Sequence, residues 1–133
     1  MIGLLIICHC DLGREFLNAA ELILGKLESA DAISITLNTE SEEILKTIAR
    51  KIKALDKGKG VLVLTDMFGG TPSNLSLSFL KEEMVEVLTG VNLPMVVAVA
   101  QDRYSMTLEE LGEKAKQAGI RSIALAGKLL KSE

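Results

Sequence analysis

Residues 61–74 read VLVLTDMFGGTPSN, and this stretch decides the fold class. Four apolar residues and a threonine make a short strand over 61–65, and DMFGGTP then punctuates the chain. Pro72 suits the first turn of a helix, with Thr71 as its N-cap, so a helix is expected over 72–81. Working outward, the same alternation recurs. Residues 2–8 form a continuously apolar first strand, of the kind that is buried on both faces. Leu17, Ala20, Leu24 and Leu27 then keep helical spacing to about residue 27. AISITL (32–37) is a second strand, and Thr39 or Ser41 with Glu42 and Glu43 opens a helix striped by Ile44, Leu45, Ile48, Ile52 and Leu55. VEVLTG (85–90) is a fourth strand, residues 93–101 and 107–118 are helices, and IRSIALA (120–126) reads as a last apolar strand. Short Val/Ile-rich runs alternating with helical periodicity imply βαβ units, hence an α/β fold around a largely parallel sheet.

Composition narrows the function. The 133 residues fit one domain, taken as residues 1–133 without linker or repeat. Only 3% are aromatic, which argues against a base-stacking nucleic-acid platform, and a net charge of −3 leaves no basic footprint for a phosphate backbone. Nucleic acid is therefore not an expected partner. No apolar run approaches the roughly 20 residues of a membrane helix, and the start MIGLLIIC lacks a signal peptide's basic region, so a cytoplasmic protein is expected. Cys8 and Cys10 stand too close in sequence for the usual disulfide, which fits a reducing compartment.

In an open parallel sheet, ligands bind beyond the carboxyl ends of the strands at the switch point. His9 follows the first strand, Asp66 the third and Asn92 the fourth. In the usual order 2-1-3-4, His9 and Asp66 flank that point. His9 is the only histidine, so chemistry needing an imidazole near neutral pH has one candidate. As a nucleophile the ring must be neutral with one free nitrogen, and a carboxylate at the other nitrogen, which Asp66 can supply, fixes that tautomer. Gly69 and Gly70 allow a sharp turn that exposes backbone N–H groups, and the helix start after them adds unpaired donors, together a phosphate cradle. Thr71 or Ser73 can add a hydroxyl. The segment has neither the lysine nor the spacing of a Walker loop, so nucleotide binding is unsupported.

A rival site overlaps it. Cys8 and Arg14 in CHCDLGR have the C-x5-R spacing of cysteine phosphatases, a thiolate with an arginine clamp. Asp11 inside that loop, Glu15 after it and the single glycine weigh against it. A metal held by Cys-His-Cys is weaker still, since adjacent residues rarely converge on one ion. The ordinary role for Cys8 is a small buried hydrophobe.

Taken together, the first strand ending in histidine, GREFLNAAELILG (13–25), DMFGGTPSN (66–74) and GVNLPM (90–95) resemble the enzyme IIA component of the mannose/fructose/sorbose family of sugar phosphotransferase systems, over nearly the whole chain. The resemblance implies a three-layer sandwich whose central parallel sheet, ordered 2-1-3-4, carries helices on both faces. It also implies a homodimer that exchanges an antiparallel C-terminal strand, here residues 120–126. His9 is then the residue that takes a phosphoryl group from the phosphocarrier HPr and passes it to a IIB component. Asp66 orients it, and Thr71 places a hydroxyl near the phosphoryl group. The donor is already an activated phosphohistidine, so no metal or other cofactor is expected. The membrane is met only indirectly, through IIC and IID components. Family members usually read Thr-His-Gly where this chain has Cys8-His9-Cys10 and then Asp11, which bears on transfer rate and partner. As given, the chain ends at Glu133 with no IIB domain, so a separate acceptor is expected, and a regulatory role without sugar transport stays open alongside the relay.

Overall fold

The structure is a computed structural model that describes residues 1–67 and 70–131. Its elements are β1 (Gly3–His9), α1 (Leu12–Leu24), β2 (Ala30–Ile35), α2 (Ser41–Leu55), β3 (Val61–Thr65), α3 (Thr71–Leu77), β4 (Val85–Thr89), α4 (Leu93–Asp102), α5 (Leu108–Arg121) and α6 (Ala126–Lys131). The four strands are all parallel and ordered β2-β1-β3-β4, as the βαβ reading requires.

Successive strand residues face opposite sides of a sheet, and the core divides along that alternation. Leu4, Ile6, Cys8, Leu62 and Leu64 pack under α1, α4 and α5, against Leu17, Ala20, Met95, Val99 and Leu111. Leu5, Ile7, Val61 and Val63 pack on the other face under α2 and α3, with Ile44, Ile48 and Leu75. The result is three layers. β1 and β3 are central and covered twice, which is why both read as unbroken apolar runs. Each large side chain buried there contributes about 1.5–3 kcal/mol. Gly13 lets α1 sit directly on β1, because a Cβ at that position would come within 2.9 Å of the Ile6 carbonyl oxygen.

Three local expectations differ. Neither Thr39 nor Ser41 caps α2, whose N-cap is Glu40 with no side-chain bond, because the Thr39 hydroxyl pairs with that of Thr36 at 2.9 Å. Thr71 is the first residue of α3 rather than its cap. Extended Gly70 takes the cap position, and the helix stops at Leu77 instead of 81, because Lys81–Val85 makes a tight turn into β4 with Glu83 at φ 65°. Residues 120–126 form no strand. α5 runs on to Arg121, and α6 follows a short break, closed by Leu129 N–H donating to the Leu125 carbonyl. A strand needs a ladder partner. None of the described segments of the same chain adds to the outer edge of β4, so residues 120–121 extend α5, 123–125 are irregular, and Ile123 and Leu125 are left more than three-quarters exposed.

Arg103, unremarked in the sequence, is fully buried at the end of α4 and donates to the carbonyls of Ile2 and Ser29. It ties the starts of β1 and β2 to the α4 side. No helix among the described residues is long and apolar enough to cross a membrane.

Candidate functional site

His9 ends β1 and Asp66 follows β3, the adjacent strand, so the topology alone brings them together at the carboxyl edge of the sheet. One carboxylate oxygen, Asp66 Oδ2, accepts from the His9 backbone N–H at 2.9 Å and lies 2.8 Å from the ring Nδ1. The Asp66 side chain is 10% exposed and that of His9 46%. Burial raises the Asp66 carboxyl, but hydrogen bonds from the His9 amide and ring, with the ring's charge, outweigh it and hold the group below its ordinary 3.8. Asp66 is thus an acceptor only. Nδ1 therefore donates to it, and a neutral ring in this position has its lone pair on Nε2.

Strand alternation sends the His9 side chain to the α2/α3 face, continuing the series Leu5, Ile7. There it meets the start of α3. A Cβ on Gly70 would stand 3.2 Å from His9 Cε1, so glycine lets the α3 N-cap close on the ring. Thr71, next in line, is exposed, whereas Ser73 is fully buried and its hydroxyl has no partner. Gly69, the other glycine of the cradle, lies outside the described residues.

The residues beside the histidine have settled positions. Cys10 adopts φ 51°, the left-handed region that favours glycine, with its N–H on the Ile35 carbonyl. Asp11 accepts from the Ser34 hydroxyl at 3.1 Å, which turns it toward β2. Asn92 does not join His9. Its carboxamide caps α4 through Met95 N–H and donates to the Gly119 carbonyl near the end of α5.

The phosphatase reading fails on both of its residues. Cys8 is fully buried in the α1/α4 face, and burial, with the Asp66 charge, pushes its thiol up to about 12 from an ordinary 9.0. That is the reverse of an activated thiolate. The Arg14 guanidinium is engaged by Asp31, which also holds Lys51. Among the described residues no three His, Cys, Asp or Glu side chains converge as a metal site. A cavity of about 830 Å³ lies toward the amino ends of the strands between Lys81–Glu83 and Arg103–Thr107, away from the imidazole.

The arrangement so far is a half-exposed imidazole held at Nδ1 by a carboxylate, facing a glycine-bounded helix start. Residues 3–116 match the profile of the family described as PTS system fructose IIA component. The chain belongs to this family. It is 30% identical over 125 residues to the phosphotransferase enzyme IIA component YadI of Escherichia coli strain K12, covering 93% of this chain and 86% of that protein. The PTS system sorbose-specific EIIA component of Lacticaseibacillus casei is 31% identical over 112 residues, 81% of this chain and 78% of that one. A match to the mannose-specific EIIAB component of E. coli strain K12, 33% identical over 103 residues, covers 77% of this chain and 32% of that longer protein. The crystal structure of phosphotransferase system component EIIA from Streptococcus agalactiae superposes with a TM-score of 0.87 at 26% identity, covering 96% and 99% of the two chains. The chain is accordingly an EIIA sugar phosphotransferase component, and the expected parallel sheet ordered 2-1-3-4 is the observed one.

Proposed function

We propose that His9 accepts a phosphoryl group on Nε2 from phosphorylated HPr and passes it to a IIB component. The observation that carries this is the 2.8 Å contact of His9 Nδ1 with Asp66 Oδ2. The ionised carboxylate keeps the proton on Nδ1, so the Nε2 lone pair attacks phosphorus as the donor's P–N bond breaks and its electron pair returns to the donor imidazole. The acquired group leaves the ring with some imidazolium character, which the Asp66 charge stabilises. Onward transfer reverses these steps, with the acceptor nitrogen attacking and the pair returning to Nε2.

Such transfer is mainly a matter of in-line placement and of stabilising charge on the equatorial oxygens. Gly70, the Thr71 hydroxyl and the first free amides of α3, Thr71 and Ser73, serve that purpose, with Gly69 assigned to the same cradle. The buried Ser73 hydroxyl does not reach an exposed imidazole, so Ser73 contributes through its amide. The protein works as a homodimer in the cytoplasm. In it the exposed apolar segment containing Ile123 and Leu125 pairs with the open β4 edge of a second copy, exchanging the strand that the single chain cannot form.

The test is intact-mass analysis after incubation with phosphoenolpyruvate, enzyme I and HPr, on wild type, His9→Ala and Cys8→Ser, followed by acid treatment. One acid-labile phosphate, lost only in His9→Ala, is the expected result. Absence of label on the wild type, or label that survives His9→Ala, overturns the assignment.

A further inference from the structure

Two hydroxyls beneath the site have no task in the relay as described. Thr65 and Ser73 are both fully buried, and neither Thr65 Oγ1 nor Ser73 Oγ makes a hydrogen bond. A buried hydroxyl without a partner is destabilising, and valine matches threonine in shape, so the sequence VLVL-Thr65 retains a polar atom where an apolar one would pack. Both groups lie on the side of the sheet that α3 covers. Thr65 continues the Val61, Val63 series on the α2/α3 face, at the level of Ile7 in β1 and Thr89 in β4. Ser73 lies in the first turn of α3, which packs on that face, three residues after the glycine that touches the His9 ring. Each hydroxyl can both donate and accept, so each supplies what the other lacks.

We infer that Thr65 and Ser73 are bridged across the β3–α3 contact by one shared water, and that this bridge sets how closely the start of α3 approaches His9. Thr65 is then a positioning residue for phosphoryl transfer. It acts through α3 and touches neither the phosphoryl group nor the imidazole. In the first turn of this seven-residue helix the buried residues are Pro72 and Ser73, and of these only Ser73 can make a directional bond, while Leu75 and the following Phe79 pack beyond the turn that faces the ring. The inference rests on the relay proposed for His9, and its test includes a measurement that needs no phosphorylation.

His9 is the only histidine, so its ring Hε1 gives a single assignable NMR signal, and its NOE to the Gly70 α-protons reports the α3–ring approach. Thr65→Val and Ser73→Ala are expected to weaken that NOE. They should also slow transfer within the complex with phosphorylated HPr by about tenfold, as an ångström of misplacement is worth roughly a hundredfold. The donor concentration at half-maximal rate should not move, and Thr65→Ser should restore both readouts. An unchanged NOE in Thr65→Val overturns the inference, as does a Thr65→Ser variant as impaired as Thr65→Val, which would mean packing and not the hydroxyl. If Thr65→Val does not fold, Ser73→Ala decides the question by the same measurements. Wild-type protein that takes no phosphoryl group refutes the relay alone, since the NOE still decides the Thr65–Ser73 bridge.

Discussion

Asp66→Ala separates what the carboxylate does for the reaction from what it does for the fold. In the native site Oδ2 takes two donors, the His9 amide at 2.9 Å and Nδ1 at 2.8 Å. A hydrogen bond to a charged group is worth about 1.5–3 kcal/mol. Losing the Nδ1 bond lowers the fraction with a free Nε2 lone pair only about twofold, but it also removes the charge that stabilises the imidazolium character developing on transfer, and the two together slow transfer by about 10- to 100-fold. Stability is set by opposing effects. Asp66 Oδ1 is buried without a partner, so deleting the carboxylate relieves a desolvated oxygen while it frees the His9 amide. These opposing effects are each about 1–3 kcal/mol, and the net change should stay within about 2 kcal/mol. Asp66→Asn keeps an acceptor but loses the charge that roughly doubles the bond, so it should fall between wild type and alanine. Rapid-quench measurement of single-turnover transfer from phosphorylated HPr, beside urea unfolding of the same samples, reads both quantities. Transfer by Asp66→Ala at the wild-type rate would refute the orienting role. So would a rate loss that merely tracks the unfolded fraction.

Four further outcomes are expected. Gly70 has φ −78°, which alanine adopts freely, so the one tight contact of Gly70→Ala is the His9 ring at 3.2 Å, Met67 lying at an ordinary 3.6 Å; it should slow phosphorylation by about tenfold while unfolding within about 1 kcal/mol of wild type, and a normal rate would show that the ring yields. Cys10→Gly removes a left-handed cost of about 1–2 kcal/mol against about 0.5–1 kcal/mol of lost chain entropy, and a thermal midpoint raised by a few degrees would confirm it, a lowered one contradict it. The Cys8 thiol is raised on folding, so its stabilising contribution is full below pH 9.0 and is lost as pH rises toward about 12; Cys8→Ala should flatten that alkaline loss in urea melts, and native alkylation at neutral pH should mark Cys10 alone. Paired changes Ile123→Asp and Leu125→Asp should convert a dimer to monomers in sedimentation, and a wild-type chain that already sediments as a monomer would remove the proposed exchange.

The sheet was legible because its signal is local. β1 and β3 are apolar throughout only if both faces are covered, and the helices between them carry single stripes, which leaves a parallel three-layer arrangement as the consistent solution. His9 and Asp66 were legible for a topological reason, both following strands that such a sheet makes neighbours. Helix ends were less so. Thr71 looks like a cap, yet the cap is Gly70, because the residue that must be extended there is also the one that touches the imidazole. Asn92 has the right place in the chain, but its carboxamide is used between α4 and α5. Arg103 and Thr65 gave no local signal. Their positions follow from packing partners up to 101 residues away for Arg103 and from the face of the sheet for Thr65.

The C-terminal segment shows where local pattern stops deciding. IRSIALA satisfies every sequence criterion for a strand, but a strand is a relation between two segments, and the described residues of one chain offer no second segment beside β4. The same residues are therefore divided between the end of α5, an irregular break and the start of α6, and Ile120, Ile123 and Leu125 face solvent. The departures at the histidine sort in the same way. Cys10 in place of glycine changes the cost of the backbone turn, and Asp11 is drawn to Ser34 on β2, but neither touches the Nδ1–Asp66 contact. The Nδ1–Asp66 contact stands apart from Cys10 and Asp11, so on the proposed relay those two residues should alter partner or rate at the rim of the site and leave the orientation of the imidazole unchanged.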